Sequence, residues 1–338
     1  MNKRCTIKDV AQLAGVSVGT ASMALNGSEK IADSTRERVM DAVKKLEYRR
    51  NPYARTLGSQ KSYSIGLVVT DLSNPFFGTL VELLQDKVSK HGYDLVLGMS
   101  ENRNALEKRA VSHLIDNAVD GMLIVPAHDR NQDVSHIQDL QRYEIPYVFV
   151  TSYYPDVAGD CVMTDLSKGS YELTRHLLET DRQRITIVSG YSELVLSSER
   201  IRGFMDACAQ YGIQVEREQI VETEPDYMGG YRAMNQILER GIPDAILAVN
   251  DMVAMGIIKR AKELNLRVPE DIAVAGYDDL LFSSMLERPL TTVRQPLEQI
   301  SEKSVEYLIE RIEKPELAQR RLVLMPEVCL RESTKRLK

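Results

Sequence analysis

The chain has 338 residues, 43% of them hydrophobic and 27% charged, which is the composition of a globular protein large enough for two or three domains. It contains no apolar run of 18 residues and no apolar stretch behind its charged N-terminus, so neither a membrane span nor a secretory signal is expected. Its four cysteines form no C-x-x-C pair, which argues against a disulfide scaffold or a zinc knuckle and favours a cytoplasmic protein.

The net charge of −6 conceals an uneven distribution along the chain. Residues 1–62 carry 12 Lys and Arg against 6 Asp and Glu, a balance of +6, whereas the remaining residues carry 31 against 43, a balance of −12. A small basic head (residues 1–62) followed by a large acidic body indicates that the head binds a polyanion and that the body has another function.

The first two predicted helices lie close together at the start of the chain. Thr6 and Asp9 have the spacing of a capping box, and apolar residues at helical spacing predict a helix that ends before Gly15. Ser17 can cap a second short helix, which ends at Asn26-Gly27. Because only Gly15-Val16 separates them, the two helices are expected to cross steeply.

A third helix is predicted from Ser34, with Glu37 completing a second capping box. Two short helices, a tight turn with glycine and a third packing helix are the parts of a helix-turn-helix. A small helical cap without a ligand is the alternative interpretation. The steep turn and the charge of +6 favour a DNA-binding domain over residues 1–50.

The head resembles the DNA-binding head of the lactose-repressor (LacI/GalR) family of bacterial transcription regulators. The resemblance is carried by Thr6–Ala11, Ala14–Ser17, Thr20–Gly27, Thr35–Val39 and Leu46–Tyr48. It implies that Val18, Gly19 and Met23 face base edges in the major groove. The family usually has Arg at the position of Met23, and Val and Met can touch only apolar groups such as a thymine methyl, so the operator preference is not transferable. Contacts to phosphates, which position without specifying, are expected from Thr6, Ser17, Thr20, Ser22 and Asn26.

Residues 51–63 are predicted to form a hinge helix and linker. Pro52 suits a first helical position and Gly58-Ser59 ends the segment, but a helix this short is marginal in water, so a disordered linker is the alternative. The resemblance implies a helix that folds when two protomers meet DNA, with Leu57 wedged into the minor groove. Contacts to DNA in this segment are expected from Asn51, Ala54, Arg55 and Leu57.

From Ser64 onward, short apolar runs alternate with helical patterns, which predicts doubly wound parallel sheets. The candidate strands are Ile65–Val69, Tyr93–Leu97, Met122–Val125, Tyr147–Val150, Ile185–Val188, Ala245–Val249 and Ile272–Ala275. The intervening candidate helices are Gly78–His91, Ala105–Asn117, Lys168–Glu179, Arg200–Tyr211 and Met252–Leu264. Seven strands fit two lobes better than one sheet, and we expect one lobe from residues 64–162 with 293–325 and another from 163–292 with 326–338.

Polar side chains follow several of these strands, at the edge where such sheets bind ligands. Each alone could be a helix cap or a turn residue. The body also resembles the family's effector domain, which has a periplasmic-binding-protein-like (type I) fold. Together these observations predict effector contacts from Asp71, Ser73, Phe77, Ser152, Arg200, Asn250, Asp278 and Gln295. Asp251 and Asp279 are expected to be caps or structural groups.

Enzyme motifs find no support in this sequence. Gly15–Gly19 matches the G-x-S-x-G pattern, but no strand precedes it, and the five histidines show no metal-ligand spacing. No cofactor and no metal are therefore expected. The sequence predicts a homodimeric repressor that binds pseudo-palindromic operator DNA and is switched by a small effector, in this family most often a sugar or sugar derivative.

Three other functions were weighed against the repressor. A sugar-binding transport protein is opposed by the missing signal peptide and the basic head, and a hydrolase or kinase lacks its motif. A catabolite-control regulator would bind a phosphorylated carrier protein, for which a basic surface is needed. The late helix that could present one carries mostly acidic residues, namely Glu298, Glu302, Glu306 and Glu310 against Lys303 and Arg311.

Overall fold

The computed structural model describes residues 5–25, 28, 30–46, 48, 61–129 and 133–335. The chain divides into two compact units, Met1–Ser62 and Tyr63–Lys338, here termed the head and the body. Five predicted DNA contacts and most of the predicted hinge lie outside the described residues; the five are Asn26, Asn51, Ala54, Arg55 and Leu57.

The head consists of the three predicted helices. They are α1 (Ile7–Ala14), α2 (Val18–Leu25) and α3 (Asp33–Lys45). Their shared core is made mostly of alanine and valine, so the helices approach one another closely. Gly15 ends α1 in the left-handed region, at φ +66°, and its N–H turns back to the last carbonyls of the helix. Only three residues, Gly15 to Ser17, separate α1 from α2, which is the geometry of a helix-turn-helix.

One of the two predicted capping boxes is present. The backbone N–H of Thr6 donates to the Asp9 carboxylate at 2.8 Å, and the box at α1 is confirmed. The prediction for α3 was wrong, because that helix begins at Asp33 and its N-cap is Ala32, which makes no side-chain cap. Ser34 therefore lies inside the first turn, where the Asp33 carboxylate is favoured by the helix dipole.

The first sheet of the body is parallel and six-stranded. Its strands are β1 (Ser64–Val69), β2 (Asp94–Met99), β3 (Gly121–Ile124), β4 (Tyr147–Val150), β5 (Asp160–Thr164) and β11 (Arg321–Leu324), in the order β11-β5-β4-β3-β1-β2. It packs against α4 (Pro75–Lys90), α5 (Asn104–Asp116), α6 (Ser135–Arg142) and α11 (Leu297–Glu313). Strands β3, β4 and β5 are buried along their whole length, as expected for strands covered on both faces.

The second sheet is also parallel. Its strands are β6 (Ile185–Ser189), β7 (Ile220–Glu222), β8 (Ala245–Ala248) and β9 (Ala273–Ala275), in the order β7-β6-β8-β9. Its helices are α7 (Leu166–Glu179), α8 (Val195–Gln210), α9 (Tyr227–Leu238) and α10 (Asp251–Glu263). A separate antiparallel pair, β10 (Thr292–Arg294) with β12 (Glu327–Cys329), carries the chain between the two sheets, and short 3-10 helices occur at Arg217–Gln219, Leu281–Ser284 and Glu332–Thr334.

All seven predicted strands are present, but five short strands and the helices α6 and α9 were not foreseen. Strand β5 begins with Asp160, a buried carboxylate that accepts hydrogen bonds from Arg311 at 2.9 Å, and such a residue masks the apolar pattern. Strand β11 is an edge strand with an alternating exposure pattern, which is weak over four residues. Strand β5 runs to Thr164, slightly past the proposed lobe limit at 162, and the exact lobe limits stay a proposal.

Candidate functional sites

A cavity of about 980 Å³ lies at the carboxyl ends of strands from both sheets. The residues after β1, β2, β3 and β4 form one wall, and the residues after β6, β7, β8 and β9 form the opposite wall. Ligands of open parallel sheets bind at this edge, because the loops there converge while the strands hold them rigidly. Among the described residues, this cavity is the main candidate for a ligand site in the body.

Seven of the eight predicted effector contacts line this cavity. They are Asp71, Ser73, Phe77, Arg200, Asn250, Asp278 and Gln295. Ser152 is not among the lining residues, and its buried hydroxyl has no hydrogen-bond partner among the described residues. Thr151, which adopts φ +65°, lines the cavity instead. The left-handed turn directly after β4 therefore decides which of the two neighbouring side chains reaches the site.

Three of these residues form a polar cluster. An Asp278 carboxylate oxygen lies 3.8 Å from Arg200 Nη2 and accepts a hydrogen bond from Gln295 Nε2 at 2.8 Å. They come from three distant segments, namely α8, the turn after β9 and the connection after β10. Asp278 adopts φ +106°, a strained conformation for a residue other than glycine, which persists only because its surroundings impose it.

The Arg200 guanidinium is held in place by its neighbours. It lies over the Tyr277 ring at 4.3 Å from the ring centroid, and its Nη1 donates to the Leu196 carbonyl at 3.2 Å. A planar guanidinium fixed by stacking and by one hydrogen bond keeps its remaining N–H groups in a constant direction, which suits recognition of hydroxyl or carbonyl oxygens.

Burial shifts the pKa of two groups in the cavity wall. Burial raises the pKa of Asp278 to about 6, although Arg200 and the hydrogen bond from Gln295 oppose the shift. Burial lowers the pKa of His128 to about 4, and the nearby Arg200 charge lowers it further. His128 is therefore neutral at pH 7. His128 was not among the predicted effector contacts, because the sequence shows that it follows β3 but not which way the chain turns there.

Several cavity residues carry buried polar atoms without a hydrogen-bond partner among the described residues. They are Thr70 Oγ1, His128 Nε2, Arg200 Nε and Gln295 Oε1. Buried polar groups are nearly always satisfied in native proteins, and leaving one unpaired costs about 1–3 kcal/mol. Unpaired donors and acceptors on one cavity are the pattern expected of a site that a polar ligand completes.

Other predicted contacts are largely occupied by local structure. Asn250 is the N-cap of α10, since its Oδ1 accepts from the Val253 N–H and its Nδ2 donates to the Pro225 carbonyl, both at 2.8 Å. The Asp71 carboxylate accepts from the N–H and the hydroxyl of Ser73. These side chains shape the cavity, and they have less capacity for a ligand than Arg200 or Asp278.

Asp251 and Asp279 have structural partners, as the sequence had led us to expect. Asp251 is fully buried and accepts hydrogen bonds from Ser283, Thr292 and the Leu280 N–H, while burial raises its pKa to about 7. Asp279 pairs with Arg331 at 2.6 Å and with Arg294 at 2.7 Å. In the described part of the chain, no group of three or more His, Cys, Asp or Glu side chains could hold a metal ion.

The head presents one face of α2 to solvent. Val18 and Met23 are exposed at 43% and 42%, although both are large apolar side chains. Gly19 lies beside Val18 on the same short helix and is also exposed. Ser17 caps this helix, since its Oγ accepts from the Thr20 N–H at 3.0 Å. The arrangement leaves a small, largely uncharged surface that can approach another molecule closely.

Three described residues among the predicted phosphate contacts form local hydrogen bonds. The Thr6 hydroxyl donates to Asp9 at 2.7 Å, and the hydroxyls of Ser17 and Thr20 lie 2.8 Å apart. Ser22 is half-buried on α2. A hydroxyl can keep such a bond and still accept or donate one more, so these contacts stay compatible with a phosphate.

No described helix in the structure combines the length and the apolar character that a membrane crossing requires. Two family models together match nearly the whole chain. Residues 6–51 match a model described as bacterial regulatory proteins, lacI family, and residues 62–330 match one described as periplasmic binding proteins and sugar binding domain of LacI family.

Similar proteins are transcriptional regulators along their full length. The HTH-type transcriptional repressor PurR of Aliivibrio fischeri is 33% identical over 332 residues, covering 97% of this chain and 98% of that protein. A lac repressor dimer bound to operator and the anti-inducer ONPF superposes with a TM-score of 0.86 at 26% identity, covering 98% of this chain and 99% of the other. A complex of the transcriptional regulator CelR with cellobiose superposes with a TM-score of 0.74 at 30% identity, over 98% and 100% of the two chains.

Proposed function

The chain belongs to the lacI family of bacterial regulatory proteins, and from this premise we propose that it represses transcription by binding an operator that a small effector controls. The head is a helix-turn-helix DNA-binding domain, and the body is a periplasmic-binding-protein-like effector domain. The observation that carries the proposal is the cluster of Arg200, Asp278 and Gln295 in a cavity between two parallel sheets.

The proposed DNA-reading surface is the exposed face of α2. Val18, Gly19 and Met23 would face base edges, where the two apolar side chains select thymine methyl groups and glycine permits a close approach. Phosphate contacts would come from Thr6, Ser17, Thr20 and Ser22 in the described head, together with Asn26. Asn51, Ala54, Arg55 and Leu57 complete the proposal as hinge contacts, with Leu57 as the minor-groove wedge.

The proposed effector is a sugar or a sugar derivative. The CelR relative binds cellobiose, and another similar structure, of a LacI family regulator, contains ribose. In this chain, Arg200 offers fixed donors, Asp278 and Gln295 offer acceptors, and Phe77 adds an apolar wall. A ring bearing several hydroxyls needs this combination of donors, acceptors and apolar surface.

The proposed assembly is a homodimer. The exposed residues of α4 between Gly78 and Val88 are largely polar and include Thr79, Glu82 and Asp86. Large apolar side chains are exposed nearby on the edge strand β2, at Leu97 and Met99, and in the second lobe at Leu281, Phe282 and Met285. Exposed apolar clusters of this kind are typical of subunit interfaces.

Two-fold symmetry explains how the effector would control DNA binding. A dimer places two reading helices in successive major grooves, so the affinity for a pseudo-palindromic operator depends on their spacing. An effector held by both walls of the cavity would fix the angle between the lobes. The operator affinity then changes by the coupling free energy, about 1–3 kcal/mol in typical cases.

A gel-shift assay tests this function. The full-length chain is mixed with duplexes that contain pseudo-palindromic segments from the region upstream of its own gene, and cellobiose, ribose and related sugars are added in turn. We expect a specific complex whose affinity one class of sugar changes. If no such duplex is bound with or without these compounds, the repressor function is contradicted.

A further inference from the structure

Carboxylates dominate the charge of the cavity wall. Six acidic residues line it, distributed over both walls: Asp71, Glu101, Asp129, Glu224, Asp226 and Asp278. Among the described lining residues, Arg200 is the only Lys or Arg side chain. A partly enclosed cleft whose charges are mostly of one sign focuses its field and sorts ligands by charge.

The Arg200 charge is already offset by its surroundings. The Asp278 carboxylate lies 3.8 Å away, and the guanidinium faces the Tyr277 ring. His128, the histidine on the same wall, is neutral at pH 7 because burial lowers its pKa to about 4. No described lining side chain is therefore left to neutralise an incoming anion.

Helix N-termini, which often bind phosphate through their free N–H groups, are occupied at this cavity. Asn74 accepts from the Phe76 N–H at α4, Asp226 from the Gly229 N–H at α9, and Asn250 from the Val253 N–H at α10. Helices α5, α8 and α11 begin without a side-chain cap. At α5 the Asn104 N–H donates to the Asp129 carboxylate, and at α11 the Leu297 N–H donates to the Gln295 carbonyl, which leaves the start of α8.

The uncapped start of α8 does not offer a phosphate site either. Three residues line the cavity there, the apolar Leu194 and Leu196 and the buried Ser197, whose single hydroxyl carries no charge. A phosphate at this position would lose its hydration against leucine side chains without gaining a free cation, and burial of an unpaired charge is strongly unfavourable.

Uncharged polar groups remain, and they match hydroxyls. Thr70 Oγ1 and His128 Nε2 each donate or accept, Gln295 Oε1 accepts, and Arg200 Nε donates, and each lacks a hydrogen-bond partner in the described structure. A hydroxyl can donate and accept at once, so hydroxyls on one neutral ligand could satisfy all four. A phosphate dianion could accept hydrogen bonds from the donors among these groups, but it could not donate one to Gln295 Oε1.

We infer that the cavity admits neutral or cationic hydroxyl-rich molecules and excludes anionic ones such as phosphorylated sugars. This inference rests on the proposed function, since it describes the effector of the same cavity. It concerns the charge of the ligand, which membership of the family leaves open.

Charged quenchers of fluorescence test the inference without a known ligand. The chain contains no tryptophan, so Phe77→Trp places a single reporter on the cavity wall. Tyr143→Trp, at a side chain that is 58% exposed and does not line the cavity, is the matched control. Iodide, caesium and neutral acrylamide are titrated against each variant at constant ionic strength.

We expect caesium to quench the cavity reporter at least threefold more effectively than iodide, after both are normalised to the control. One unit charge at roughly 8 Å changes the local concentration of a monovalent ion about twofold in a water-like dielectric, so several carboxylates account for this ratio. Equal quenching by the two ions, or stronger quenching by iodide, would overturn the inference.

Neutralising the wall gives a second test. Glu101→Gln and Glu224→Gln change charges on opposite walls, and Glu224→Gln also leaves Arg232, which pairs with Glu224 at 2.8 Å, without this carboxylate. In the Phe77→Trp background, the double variant should raise quenching by iodide about two- to fourfold and leave quenching by acrylamide unchanged. An unchanged quenching by iodide would show that these carboxylates do not control the access of anions to the cavity.

Thermal-shift measurements extend the test to ligands. Inorganic phosphate and ribose 5-phosphate, at millimolar concentration, should leave the melting temperature of the wild-type chain no higher than an equal ionic strength of chloride does. A stabilisation by either anion that Arg200→Ala removes would overturn the inference. Arg130 lies outside the described residues, so stabilisation that Arg130→Ala removes counts equally against it. Operator binding is measured in a separate assay, so a failure of the repressor function can be distinguished from a failure of this inference.

Discussion

The proposed DNA-reading surface of the head and the cavity of the body are built in opposite ways. The reading surface comes from one helix, and its side chains, such as Val18 and Met23, are exposed and make few contacts within the protein. The cavity is assembled from segments between Thr70 and Gln295, and its central side chains are buried and bonded to one another. A change on this surface should therefore act mainly on DNA binding, whereas a change in the cavity should act through its neighbours as well.

The largest expected effect is in the cavity, at Arg200. Arg200→Ala removes the fixed donors and leaves the buried Asp278 carboxylate without its cation, so we expect a loss of at least about 100-fold in effector affinity. Operator affinity without effector should stay within about threefold, because the head does not depend on this cluster. Calorimetry and gel shift measure the two quantities.

Arg202→Ala is the matched control for this experiment. Arg202 lies on the same helix, is exposed, and pairs with Glu199 outside the cavity. It should leave effector affinity unchanged. If Arg200→Ala behaves like this control, the assignment of the cavity is wrong.

The next effect concerns the proposed minor-groove wedge. Leu57→Ala should lower operator affinity about 10-fold or more, since a smaller side chain cannot hold an unstacked base step open. Effector affinity should be nearly intact. Leu264→Ala, at an exposed leucine after α10, provides the control for removing an apolar side chain. If the Leu57 variant bound the operator as tightly as the wild-type chain, Leu57 would not be a minor-groove wedge.

A smaller effect is expected at Gly19. A Cβ added there would have only Ser17 Oγ within 4 Å, at 3.7 Å, so Gly19→Ala fits the free head and should raise its helix stability by roughly 0.5–1 kcal/mol. We nevertheless expect operator affinity to fall several-fold, because the added methyl occupies space needed for close approach to the bases. A variant that binds the operator as well as the wild type would place Gly19 away from the groove.

The smallest effect is a dependence of body stability on pH. The pKa of Asp251 is raised to about 7, so the folded body holds a proton there that the unfolded chain has released. Asp251 therefore makes the free energy of unfolding fall as pH rises from about 4 to somewhat above 7, and Asp278, whose pKa is raised to about 6, acts in the same direction up to about pH 6. Below pH 6.5, His128 acts in the opposite direction, because its pKa in the folded state is lowered to about 4.

Together, Asp251, Asp278 and His128 predict a free energy of unfolding that declines as pH rises, by on the order of 1 kcal/mol between pH 6 and 8. Chemical denaturation at several pH values measures the curve. In Asp251→Asn the decline between pH 6 and 8 should flatten, whatever the absolute stability of the variant. A decline of the same steepness would assign it to other groups.

The same contrast explains what could be predicted from the sequence. The head and the body lobes follow from contiguous patterns, and Arg200 and Asp278 follow from motifs that stand next to strand ends. Thr151 and His128 could not be chosen, because a left-handed residue after β4 and the path of the chain after β3 decide which side chain faces the cavity. The beginning of α3 was misplaced by one residue for a similarly local reason.

The charge distribution makes a related prediction for DNA binding. The head, with a balance of +6, should give an affinity that falls steeply with salt, and the body, with −12, should add nothing. Specificity must then come from the few exposed side chains of α2, and apolar contacts would discriminate among bases more weakly than a bidentate arginine.

The most direct test of the account is fluorescence anisotropy with the full-length chain and a labelled pseudo-palindromic duplex from its own upstream region, with a scrambled duplex of equal length for comparison. The account predicts tight binding to the first duplex, at least about 1000-fold weaker binding to the scrambled one at physiological salt, and loss of both with increasing salt. Equal affinity for the two duplexes, or no binding to either, would contradict a sequence-specific repressor.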